Sequence, residues 1–184
     1  MTNRHVNAIA GRLSLRPPQR RSLEILDRIT EIAPPKKGAD PAAALEAIRS
    51  EYPSVTDFER EFPSLCFALA TGVGKTRLMG AFISYLHLAH GINNFFVLAP
   101  NLTIYNKLIA DFAPNTPKDV FRGIAEFATD APEIITGDTY EAKAGGGASC
   151  TTRLSLPRRT RRTSGAGTPP STPRLTVRSC GATC

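Results

Sequence analysis

Residues 69–76 read LATGVGKT, and no other stretch limits the architecture of this chain as tightly. Gly72 and Gly74, one residue apart, let the backbone turn sharply where a Cβ would obstruct it. Such a turn needs an anchored segment leading in and a helix leading out, whose first N–H groups lack intrahelical partners. The flanks fit. Residues 64–69 (SLCFAL) form a short apolar run that reads as a buried strand. Residues 75–90 read as a helix, with Gly91 placed to cap its C-terminus. The N–H groups of Ala70, Thr71, Gly72, Val73 and Gly74, with the helix start, would form a nest for an anion. Lys75 adds a point charge suited to phosphate oxygens, and the Thr76 hydroxyl is a hard ligand suited to Mg²⁺. The pattern GxxxxGK[ST] is matched at its decisive end, whereas Leu69 stands where a glycine is usual. The competing account is a glycine-rich turn with a chance GKT. The loop alone implies ATP or GTP without choosing between them.

The chain downstream of the loop alternates in type. A strand is expected over residues 94–99, a helix over 102–112, a short helix over 119–127 and a weak strand over 133–136. That order predicts an α/β fold with a parallel sheet and helices on its faces. Upstream, residues 1–62 read as helical. Ile25, Ile29 and Ile32 share a helical face, Pro34 and Pro35 end that helix, and Asp40 with Pro41 begins the next. Three regions follow: a helical segment (1–62), an α/β domain (63–143) and a tail (144–184).

The net charge of +7 lies in the tail, because residues 151–184 hold 7 of the 23 basic residues and none of the 16 acids. The tail after Cys150 also lacks Phe, Tyr, Ile and Met, so disorder is expected there. Three readings stand for it: an arginine-rich arm that grips phosphates, a solvated linker, or the out-of-frame product of a GC-rich gene. Cys66 sits in an apolar run, and Cys150, Cys180 and Cys184 lack the paired spacing of a zinc site. His87 and His90 have no accompanying metal motif and read as packed or solvated. No signal peptide or membrane-length apolar run is seen, so the expected compartment is the cytoplasm.

LATGVGKTRLMG resembles motif I of superfamily 2 helicases, in which many members have Leu or Met before ATG. NFFVLAPNLTIYNKLIADF is similar to their motif Ia, and LSLRPPQRRSLEIL to the LRxxQ element that precedes motif I. The family most similar to this set is the Res subunit of type III restriction enzymes, over about residues 13–140. The resemblance implies a partial RecA-like domain, an ATP and Mg²⁺ requirement, double-stranded DNA as partner, and a modification (methyltransferase) subunit. It implies that Gln19 reads adenine, that Gly72, Gly74, Lys75 and Thr76 hold phosphates and Mg²⁺, and that Pro100, Asn101 and Leu102 face DNA. Gln19 as a helix-start polar residue and Asn101 as an N-cap are the plainer alternatives.

No DExH or DEAD motif is found, and Asp111, Asp119, Asp130 and Asp138 stand isolated. The chain is therefore expected to stop short of a complete motor, to be aggregation-prone, and to show no ATPase or helicase activity alone. A small nucleotide-responsive module that holds nucleic acid through its basic tail is the second hypothesis. A P-loop kinase of small molecules is the third, and it would need an arginine-rich lid that the patterned region does not show.

Overall fold

The computed structural model describes residues 4–36, 38–136, 139 and 151–155. Three helices come first: α1 (Arg4–Arg12), α2 (Pro17–Ile32) and α3 (Pro41–Glu51). Pro17 and Pro18 occupy the first turn of α2, where the missing N–H costs nothing. The Asp40 side chain caps α3 by accepting from the Ala42 N–H at 3.0 Å. Next come α4 (Lys75–His90), β1 (Asn94–Leu98), α5 (Leu102–Phe112), α6 (Ala125–Thr129), β2 (Glu133–Ile135) and β3 (Thr151–Ser155). No described helix is long and apolar enough to cross a membrane.

Helix α4 is the centre of the molecule. Leu78 and every residue from Gly80 to Leu86 are buried, so the helix has almost no solvent face over its middle. Val6 and Ile9 of α1, Leu23 and Leu26 of α2, Phe95 and Val97 of β1, and Leu108 and Phe112 of α5 close around it. Gly91 ends α4 at φ 65°, its N–H returning to the His87 carbonyl. A smaller cluster of Ile29, Ile48 and Phe58 seats α3 against α2.

The strands form a parallel sheet in the order β1-β3-β2, with Asn94 and Glu133 both opposite Thr151. Helices α4 and α5 match their expected positions, and strand β1 ends one residue short of the expected 94–99. Helix α6 is shorter than the expected helix and starts later, because residues 119–124 form turns that include Gly123 at φ 100°.

Two expectations are corrected. The run 64–69 carries a single bridge residue, Cys66, in place of a strand. Leu65, Phe67 and Leu69 turn partly inward onto the cores while Cys66 and Ala68 are exposed, so the segment is extended but one-sided. Alternation sets which face is buried; a strand also needs a neighbouring backbone alongside. The second correction concerns the tail. Residues 151–155, inside the stretch expected to lack structure, supply β3, the middle strand. Thr151, Thr152 and Leu154 are compatible with a ladder, and a lane flanked by β1 and β2 offers hydrogen-bond partners on both sides. The expected disorder of residues 156–184, including Cys180 and Cys184, lies outside the described residues, as do Asp138 and Cys150.

A buried polar chain ties α2 to the far half of α4. The Tyr85 hydroxyl donates to Asp27 Oδ1 at 2.7 Å and lies 3.1 Å from Thr30 Oγ1 and 3.3 Å from His90 Nε2. Burial, and then Asp27, hold the Tyr85 hydroxyl well above its usual range. Burial lowers His90 below the usual imidazole value of 6.5; His5 acts in the same direction and the Asp27 charge opposes it. The unfolded chain therefore takes up a proton near pH 6.5 that the folded chain resists. The His90 contribution to stability is present above that pH and is lost as pH falls toward the folded value. His90→Asn should flatten the fall of Tm between about pH 6.5 and 5; thermal melts with identical slopes for the two proteins would refute this.

Candidate functional site

The glycine-rich loop leads directly into α4. Gly72 and Gly74 adopt φ of 79° and 92°, the left-handed region that side chains disfavour, and Gly74 is the N-cap of α4. The start of the most deeply packed helix thus becomes a rigid platform, with the orphan N–H groups of Lys75 and Thr76 at its tip. Lys75 Nζ donates to the Ala70 carbonyl at 3.0 Å, folding the ammonium across the loop. Thr76 is half-buried beside it, in the first turn of α4. The side-chain chemistry fits the anion nest expected from sequence. A hydroxyl in the first turn and a lysine leaning over the loop are suited to Mg²⁺ and to a phosphate chain.

Gln19 reaches the same loop from α2. Its Nε2 donates to the Gly74 carbonyl at 2.8 Å, and its Oε1 accepts from the Arg16 N–H at 2.8 Å. The residue is 2% exposed. A Cβ added to Gly74 would lie 2.6 Å from Gln19 Nε2 and would have to displace the Gln19 amide, while the φ of 92° is what calls for glycine there. Gln19 is therefore both the third residue of its helix, satisfying an N-terminal N–H in half of a capping box, and a strut against the loop. The amide has two donors and two acceptor sites, and these bonds use one of each.

Two further residues converge here that sequence reasoning passed over. Arg16 Nη1 donates to the Gly72 carbonyl at 3.4 Å, and Arg77 Nη1 donates to the Leu13 carbonyl at 2.9 Å. Together with Gln19 they sew the α1–α2 turn to the loop. The available signal was their position: Arg16 is the second residue of the LRPPQ element, and Arg77 follows Thr76 directly.

The segment holding Pro100, Asn101 and Leu102 sits beyond β1, at the start of α5. All three are exposed, Leu102 at 60%. Asn101 Oδ1 accepts from the Ile104 N–H at 2.9 Å, so the plainer reading of Asn101 as an N-cap holds. Among the described carboxylates, Asp111 is buried and paired with Lys107 at 3.0 Å, and Asp119 Oδ1 accepts from the Phe121 N–H. Asp130 takes part in an interaction of its own. No group of three or more His, Cys, Asp or Glu able to hold a metal ion occurs among the described residues. His87 packs its ring on Phe127 and lies 3.3 Å from the Ile92 carbonyl, while His90 joins the Tyr85 chain, so both are packing residues.

A family model described as type III restriction enzyme, res subunit, matches residues 12–158. No curated protein and no solved structure matches the chain. The matched span takes in Gln19, the glycine loop, the Pro100 segment and all of β3, and it exceeds half of the chain. The protein therefore belongs to the type III restriction enzyme res subunit family, as a helicase-superfamily Res-type N-terminal domain.

Proposed function

We propose that the chain binds ATP with Mg²⁺ at its glycine loop, as the nucleotide-holding part of a DNA translocase subunit in a type III restriction-modification-like system. The observation that carries this reading is the loop itself: two left-handed glycines, Lys75 and Thr76 at the start of a buried helix, all within the family match. In this reading Lys75 contacts the β- and γ-phosphates, and the N–H groups of residues 70–76 cradle them. Thr76 would hold Mg²⁺, which neutralises phosphate charge when bound. Gln19 reads adenine through its unused N–H and lone pair. Pro100, Asn101 and Leu102 face double-stranded DNA, and a modification (methyltransferase) subunit is the proposed protein partner.

Turnover by this chain alone is proposed to be negligible. Phosphoryl transfer depends on groups aimed at the attacking water and at the developing charge, each worth orders of magnitude in rate. Asp111 and Asp119 are already committed to Lys107 and to a turn. Titration with Mg·ATP should give saturable binding with no phosphate release above background, with or without DNA. DNA-stimulated release that disappears in Lys75→Ala would overturn the inactive reading. DNA binding that falls steeply with salt, ignores nucleotide and is lost with residues 156–184 would favour the basic-tail module instead.

A further inference from the structure

We propose that Gly80 and Val120 are positioning residues that couple the nucleotide loop to α5. The inference rests on the nucleotide-binding reading above. Gly80 lies in the buried middle of α4, less than two turns from Lys75. A Cβ added there would lie 2.8 Å from Val120 Cβ and 2.9 Å from the Val120 carbonyl oxygen, so the turn at 119–124 sits directly on the α4 backbone. That turn is bonded to the end of α5. The Val120 N–H donates to the Asp111 carbonyl at 2.9 Å, and the Phe121 and Phe112 rings meet edge-on with centroids 5.4 Å apart. On its other side, Gly123 closes on the Arg12 carbonyl, and Arg12 pairs with Glu126 at 3.2 Å. The turn is therefore a wedge held by α1, pressed on α4 and attached to α5. Helix α5 carries the exposed segment assigned to DNA at its opposite end.

A phosphate chain settling on the first turn of α4 biases the position of that helix. Close-packed contacts pass displacement on, where a loose one would absorb it. Gly80 is the point at which no side chain cushions α4 from the wedge. The direction of coupling is reciprocal, so whatever fixes α5 also biases the loop.

The test is amide hydrogen exchange of the full chain with and without Mg·ATP, alongside the affinity of each protein for Mg·ATP. In the native chain, nucleotide should slow exchange in the second half of α5 by at least tenfold. Gly80→Ala pushes the wedge away, and Val120→Ala leaves a gap behind it. Each should bind Mg·ATP within threefold of the native chain yet lose the slowing in α5. Val120→Ala inserts no atoms and serves if Gly80→Ala does not fold. Binding without any change in α5 of the native chain overturns the coupling and leaves the nucleotide reading intact. Variants whose α5 still responds, or whose affinity and α5 response decline in proportion, also overturn it, since a purely structural contact would do the latter. Absence of Mg·ATP binding in the native chain overturns both.

Discussion

Lys75→Ala should weaken Mg·ATP binding by roughly 10–100-fold while leaving Tm within about 2 °C of the native value. The first half follows from charge. An ammonium donating to phosphate oxygens is a charged hydrogen bond, worth about 1.5–3 kcal/mol. The second half follows from what Lys75 does in the free chain. Its bond to the Ala70 carbonyl is exposed, and exposed substitutions of this kind change stability by about 0.5 kcal/mol or less. Calorimetric titration beside a thermal melt checks both. A variant that binds as the native chain does removes the loop from the proposed function. A variant that melts far lower makes Lys75 a structural residue.

Gln19→Ala should have the opposite profile, with a large loss of stability and a change in base selectivity. Truncation strips the Arg16 N–H of its partner and takes one of two donors from the Gly74 carbonyl, which keeps the Leu78 N–H at 3.2 Å. An unpaired N–H beside a side chain as buried as Gln19 costs about 1–3 kcal/mol, so a Tm fall of roughly 3–8 °C is expected. Gln19→Glu should be no milder, because it turns an acceptor, and a charge, toward the Gly74 carbonyl. If the unused half of the amide reads adenine, Gln19→Ala also lowers the preference for ATP over GTP. Equal losses for the two nucleotides would reduce Gln19 to a strut for the loop. The two variants thus separate the loop's charge from its support.

What could be read from sequence divides along the range of the interactions. Helix α4 was legible to its last residue because its ends are written locally, in Gly74-Lys75-Thr76 and in Gly91. Helix α5 was legible because Asn101 and the apolar spacing behind it lie within a few residues of one another. The family was legible for the same reason, since its motifs are short and ordered along the chain. The strands were harder. Residues 64–69 are as apolar as β1, yet only β1 has a partner ladder, and no property of SLCFAL says which neighbour will lie beside it. β3 was missed because TTRLS is short, and its signal was outweighed by the arginines and prolines that follow it. The support of the candidate site was hidden for a related reason. Gln19 meets Gly74 across 55 residues, a contact that only the packing of α2 on α4 creates.

The place of β3 between β1 and β2 has a consequence for how the chain is made. Neither outer strand touches the other, so the sheet cannot begin to close until residues 151–155 have left the ribosome. Until then the helices can gather on α4, but β1 offers an open lane of N–H and carbonyl groups, with Leu98 exposed at its end. Pairings of this long range form slowly even once the residues are present. A nascent chain that has not yet released residues 151–155 would leave β1 open along this lane, and that interval is when a chaperone would have most to protect.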